Sequence, residues 1–229
     1  MHAPTLLAWS GGKDAAWALH RLRELGTADV VGLMSTVTAE YGRSSMQGVR
    51  REVLQAQADA AGLPLLESAI RVGADNAAYE SAFAATLAQA RSRWPGIRHI
   101  AFGDLLLADI RDWRAALCER LGWQALFPLF GDDTSRLARR MIDGGLQARL
   151  CCIDTTQLDG GFAGREFDAR LLAALPVTAD PCGEHGEFHT CVSAGPMFRR
   201  PLALVAGNTV LREDRFLYTD FMPTDPGNA

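Results

Sequence analysis

Ser10-Gly11-Gly12-Lys13-Asp14 places two glycines, one amine and one carboxylate within five consecutive residues. Glycine has no Cβ, so the backbone there can take positive φ and approach a ligand closely. If a helix starts at Lys13, its first amides form an anion site, and the ammonium adds a point charge. Asp14 is the kind of side chain that helps to hold a magnesium ion bridging phosphate oxygens. Lys13 is also the only lysine, the other 22 of the 23 Lys and Arg residues being arginine. Ammonium and guanidinium are not interchangeable beside a phosphate, so the composition singles this residue out. The stretch is neither GxxxxGK[ST] nor GxGxxG. A plain strand-to-helix turn, with Ser10 as cap and Lys13 on the surface, is the competing reading. The expectation is phosphate binding by Ser10, Gly11, Gly12, Lys13 and Asp14, with Asp14 the metal ligand.

A second concentration of chemistry is "DPCGEHGEFHTC" at 180–191. Its Cys182, His185, His189 and Cys191 have a C-x2-H-x3-H-x-C spacing that zinc accepts, but the paired ligand arms of common zinc modules are absent. A loop that closes two parts of the protein together by hydrogen bonds is the plainer account. Gly103 and Asp104 follow a short apolar run and fall where a nucleotide site would be lined. They could equally be a strand-terminating turn with Asp104 capping the next helix.

The elements that must position these groups are legible as hydrophobic runs. Residues 5–9, 30–37, 63–70 and 97–103 read as buried parallel strands. Helical patterns at 13–25, 47–61 and 76–93, the last with Asp75 as N-cap, have crossover length. The alternation predicts a doubly wound, mostly parallel α/β sheet over 1–132, with ligands gathering at the carboxyl ends of its strands. Beyond that the rhythm changes: a capped helix ending at Gly144-Gly145, a strand "QARLCCID", a short helix around 165–175, and strand-like pieces at 202–212 and 215–221. Residues 133–229 are expected to form a smaller α+β lobe. The 229 residues, 48% hydrophobic, suit a soluble globular protein. A net charge of −4 gives no general pull towards nucleic acid. Five cysteines, an odd number, argue against a disulfide framework. With no apolar run long enough for a membrane and no secretory signal pattern at the N-terminus, the cytoplasm is the expected location.

"SGGKD" after a first strand resembles the PP-loop of the N-type ATP pyrophosphatase superfamily, with Ala15 where that motif usually ends in Ser or Thr. "RSSMQGVRREVLQAQADAAGLPL" (43–65), "FGDLLLADIRDWRAALCERLGWQALFPLFG" (102–131) and "DPCGEHGEFHT" (180–190) resemble segments of the diphthine–ammonia ligase family. Gln47 stands for a usual His, Phe130 for Trp and His185 for Asn. The resemblance implies an adenine nucleotide α-hydrolase-like fold of the HUP type. It also implies ATP and Mg2+ as cofactors, and adenylation of a carboxylate followed by displacement of AMP by ammonia. Its implied partners are ATP, ammonia and a carboxylate acceptor, either a protein side chain or a small metabolite; a homo-oligomer is possible. Lys13, Glu184, Glu187 and His189 would carry the chemistry, the last three as a polar wall over ATP. Arg43, Ser45 and Met46 would face the acceptor, unless they form an ordinary exposed loop. Two rival readings are a PP-loop tRNA-modifying enzyme, which the acidic charge disfavours, and a nucleotide sensor without turnover, which Ala15 favours.

Overall fold

The computed structural model describes residues 2–224. The first part of the chain runs β1 (Pro4–Ala8), α1 (Lys13–Leu25), β2 (Asp29–Thr38), β3 (Arg43–Ser44), α2 (Arg51–Ala61), β4 (Leu65–Ile70), α3 (Asn76–Arg93), β5 (His99–Ala101), α4 (Ala108–Arg120) and β6 (Gln124–Leu126). It continues with α5 (Thr134–Asp143), β7 (Gln147–Asp154), α6 (Ala169–Ala174), β8 (Phe188–Ala194), β9 (Leu204–Arg212) and β10 (Phe216–Pro223).

β4, β2, β1, β5 and β6 pair in parallel in that order, and the short β3 adds an antiparallel pair to the end of β2. Chain order therefore reverses between β1 and β5, and the glycine turn and Gly103 follow these two strands. The second sheet, β8-β7-β10-β9, is antiparallel throughout. This is an α/β fold whose first sheet is mixed through β3.

Local signals account for most boundaries. α1 and α2 stop at Gly26 and Gly62, whose φ of 57° and 69° lie in the left-handed region that favours glycine. Asp75 caps α3 by accepting from the Ala78 amide, and Asp133 caps α5 by accepting from Arg136 (both 2.8 Å). The expected helix at 47–61 starts only at Arg51, because Gly48 has φ 69° and Arg50 is extended. The run 97–103 yields only the three-residue β5. α4 is the helix that Asp104 was expected to cap, but it starts at Ala108 with Leu107 at its N-cap and no side-chain cap. β8 was not anticipated, and half of it lies in the segment read as a polar loop.

Packing sets the two sheets around a shared layer of helices. Leu6, Phe83, Leu87, Ile100, Leu117 and Trp123 fill the outer face of the parallel sheet under α3 and α4. On its other face one continuous core runs from Leu7, Leu19 and Val53 through Leu137 and Leu150 to Ile153 and Val192. α1 lies against β8 and α2 against β10, so these two helices are covered by both sheets. That is why α1 is buried at Ala15, Ala16, Trp17, Ala18, Leu19 and Leu22, more than one stripe of its surface.

Gln57 fastens this layer. Fully buried, it accepts from Trp9 Nε1 (2.9 Å) and donates to the carbonyls of Gly11 (3.0 Å) and Val192 (2.7 Å). Gln57→Leu removes partners from three buried groups. It is expected to cost about 2–3 kcal/mol in urea unfolding; an unchanged midpoint would mean that these bonds are not holding the glycine turn to the second sheet.

Candidate active site

A cavity of about 940 Å³ opens at the carboxyl ends of the parallel strands. Ser10, Gly12, Lys13, Asp14, Gly103, Asp104, Ser45, Met46, Glu184 and His189 all line it, whereas Gly11, Arg43 and Glu187 do not. The volume is in the range of small-molecule sites.

The glycine turn is shaped by close neighbours. Gly11 has φ 82°, and a Cβ there would fall 2.9 Å from Leu54 Cδ2. A Cβ on Gly103 would sit 2.8 Å from the Ala15 backbone nitrogen and 2.9 Å from the Asp14 carbonyl carbon, so β5 can end against the first turn of α1 only with glycine there. The turn's amides are not all free: Gly12 N–H donates to Ser10 Oγ (3.2 Å) and Lys13 N–H to Thr190 Oγ1 (3.0 Å). Phosphate binding at these two amides requires those bonds to exchange.

Lys13 is neither a surface residue nor a free point charge. It is 2% exposed, and its ammonium donates to both carboxylate oxygens of Asp14 (2.9 and 2.8 Å) and to the Cys182 carbonyl. The rings of Phe167 and Phe188 lie 5.8 and 5.6 Å away. Burial pulls the amine's pKa down, but the Asp14 charge and its hydrogen bonds outweigh it, and Lys13 stays cationic with a raised pKa. The lysine thus ties the first turn of α1 to the 180–191 segment while sitting at the cavity wall.

That segment is built on carboxylate-to-backbone bonds. Asp180 accepts from Cys182 N (2.8 Å) and Thr134 Oγ1 (2.6 Å). Glu187, 1% exposed, accepts from Asp180 N (2.7 Å) and His185 N (2.9 Å). Glu187 is therefore a brace of the loop and is not placed to meet a ligand. Glu184, three residues earlier, faces the cavity and accepts only a long bond from Leu106 N (3.3 Å). Burial, with repulsion from Asp14, pushes its carboxyl up to about 7. His189 is pushed down to about 4 by burial and by the Lys13 charge, so it is neutral near pH 7.

Asp104 is fixed in an unfinished contact. Its Oδ2 and the Arg114 Nε are both buried without a hydrogen-bond partner and lie 3.5 Å apart. Burial raises the Asp104 carboxyl, Arg114 pulls it back, and Asp14 adds to the rise. Two carboxylates facing one cavity suit a divalent cation of the magnesium type, which takes one or two protein carboxylates and fills its shell from phosphates and water. Among the described residues no group of three or more His, Cys, Asp or Glu side chains could hold a metal ion, so the Cys182, His185, His189 and Cys191 side chains do not gather into a zinc site.

Arg43 goes elsewhere. Its Nη1 donates to the Gly48 carbonyl and to Asp220 Oδ1 (both 2.8 Å), while Arg50 grips Asp220 Oδ2 at 2.6 Å. Although burial opposes it, these hydrogen bonds hold Asp220 down at about 2. Arg43 thus ties β10 to the turn before α2, leaving Ser45 and the exposed Met46 at the cavity rim.

Residues 3–125 match the family model for the diphthamide synthase N-terminal domain, and residues 133–219 match that for the C-terminal domain. The chain belongs to the diphthamide synthase family. A diphthine–ammonia ligase of Schizosaccharomyces pombe is 27% identical over 213 residues, covering 85% of this chain. The chain spans only 35% of that protein's length.

Several residues of the site do not stand out in the sequence. Thr190, Asp180 and Gln57 act on partners 46 to 177 positions away. Tyr79, Trp113 and Arg114 lie on α3 and α4 and line the cavity. No helix among the described residues is long and apolar enough to cross a membrane.

Proposed function

We propose that this protein is an ATP-dependent, AMP-forming ligase that joins ammonia to a carboxylate; the name of its Schizosaccharomyces pombe relative, a diphthine–ammonia ligase, supports ammonia as a substrate. The observation that carries the reading is the meeting, in one cavity, of the glycine turn at the end of β1 with Glu184 and His189 from the second sheet's side. The β4-β2-β1-β5-β6 order, with its reversal beside that turn, supports a nucleotide-binding fold of the HUP type. Two sheets and two matched regions support an ATP-binding part over 1–132 and a closing part over 133–229; residue 1 and residues 225–229 of those bounds lie outside the described residues.

In this reading one acceptor carboxylate oxygen attacks the α-phosphorus of ATP, the Pα–O–Pβ bond breaks, and pyrophosphate leaves. Ammonia then attacks the carboxyl carbon, the bond to AMP breaks, and one proton is released. Once a phosphate oxygen replaces one of the present partners of its ammonium, Asp14 or the Cys182 carbonyl, Lys13 and the first turn of α1 stabilise charge on the departing pyrophosphate. Asp14 and Asp104 would hold magnesium, which would neutralise phosphate charge. Glu184 accepts the proton from the attacking nitrogen, since its pKa near 7 matches that task and that of His189 does not. The site lies in the cytoplasm, where ATP and ammonium are both present.

The test is to mix the protein with ATP, ammonium and a panel of carboxylic acids, and to follow AMP and pyrophosphate. Equal amounts of both, dependent on one acid, are expected. Their absence with every acid would refute the reading. Tight ATP binding without pyrophosphate release would instead favour a nucleotide sensor, the reading to which Ala15 and the occupied Gly12 and Lys13 amides point.

A further inference from the structure

The amidation reading leaves the acceptor unspecified, and the cavity's charges limit what it can be. Asp14, Asp104 and Glu184 already line the wall, so an incoming carboxylate meets like charge. Magnesium held by Asp14 and Asp104 would serve the phosphates, so the acceptor carboxylate needs a cation from the chain itself. Among the described residues, the permanently charged cations lining the cavity are Lys13 and Arg114. The Lys13 ammonium is held by Asp14 and the Cys182 carbonyl and, in the amidation reading, serves the pyrophosphate.

Arg114 is the opposite case. Its Nε is buried with no hydrogen-bond partner, and its approach to Asp104 stops at 3.5 Å. The guanidinium lies over the Phe102 ring at 4.7 Å, which fixes its plane. Beside it, Tyr79 and Trp113 stand 5.7 Å apart between ring centres, and both line the cavity. A triphosphate carries several charges and would lose water against these rings at high cost; its place is with the magnesium that Asp14 and Asp104 would hold. A molecule with one carboxylate and an apolar body satisfies both features.

Resting on the amidation reading, we infer that Arg114 anchors the acceptor's carboxylate, and that the acceptor is an acid whose apolar or aromatic body lies on Tyr79, Phe102 and Trp113. The anchor brings the carboxylate to the Asp104 side of the glycine turn. Arg114 is thus a specificity-determining residue of the same site.

Isothermal titration of the full chain with benzoate, phenylacetate and hexanoate, with the corresponding neutral amides, and separately with ATP, tests this. The acids are expected to bind the wild type and their amides to bind poorly. Arg114→Met should weaken acid binding about 10- to 100-fold, the worth of a hydrogen bond to a charged group, and leave the ATP affinity within about twofold. Arg114→Gln, which keeps hydrogen-bonding capacity and removes the charge, provides the same comparison if the methionine variant does not fold. Unchanged acid binding in the variant, an equal loss of ATP binding, or amides binding as well as acids would each overturn the inference. Failure of the wild type to bind any acid also overturns it; the AMP and pyrophosphate assay then judges the amidation reading separately.

Discussion

Lys13→Ala is expected to lower AMP formation by about two to three orders of magnitude, the scale of losing one preorganised donor to developing charge. It is also expected to lower stability by about 2–4 kcal/mol, because the substitution leaves Asp14 and the Cys182 carbonyl without their buried cation. Assaying at a temperature where both proteins are folded, as checked by circular dichroism, separates the two effects. Lys13→Arg is the sharper variant. The seat between Phe167 and Phe188, closed by the Cys182 carbonyl, fits a compact ammonium; a planar guanidinium is bulkier and orients its donors differently. Arginine should therefore fail as well, which would explain why a chain that otherwise uses arginine keeps lysine here. Wild-type AMP formation by Lys13→Arg would show that any positive charge suffices, and by Lys13→Ala that the residue is only a structural tie.

The buried seat of Lys13 marks where reading the sequence stops. Helices such as α1 and α3 and strands such as β2 and β7 are legible, because their periodicity, caps and glycine stops are local. The glycine turn is legible too, since its residue types belong to a strand-to-helix junction. What such a pattern cannot reveal is which polar group is spent on structure. Glu184 and Glu187 stand three residues apart in one segment, yet one faces the cavity and the other is consumed by the amides of Asp180 and His185. Arg43 sits beside cavity-lining Ser44 and Ser45, but its guanidinium is taken by Asp220, 177 residues on. Arg114 carries the reverse lesson: an ordinary helical arginine becomes conspicuous only once Asp104 is seen to stop 3.5 Å short of it. β8 was hidden for a related reason, since its Thr190 and His189 serve the turn and the cavity and break the apolar pattern of a strand.

Glu184→Gln is expected to slow amide formation about 100-fold or more by removing the group that takes ammonia's proton, and to leave ATP binding unchanged. The pH dependence gives the cleaner signature. With a carboxyl pushed up to about 7, wild-type turnover at saturating ammonia should rise through pH 7 as Glu184 ionises, and the glutamine variant should lose that inflection. A matching effect belongs to stability. The folded protein holds this proton more tightly than the unfolded chain, whose carboxyl titrates near its ordinary value of 4.5. Glu184 therefore costs nothing below about pH 4.5, progressively destabilises the fold as pH rises towards about 7, and adds no further penalty above that. Glu184→Gln should accordingly melt at the same temperature as the wild type at pH 4 and a few degrees higher at pH 8. Rate and melting curves sharing one inflection would assign the titration to Glu184; a rate inflection that survives in the glutamine variant would hand the proton transfer to another group.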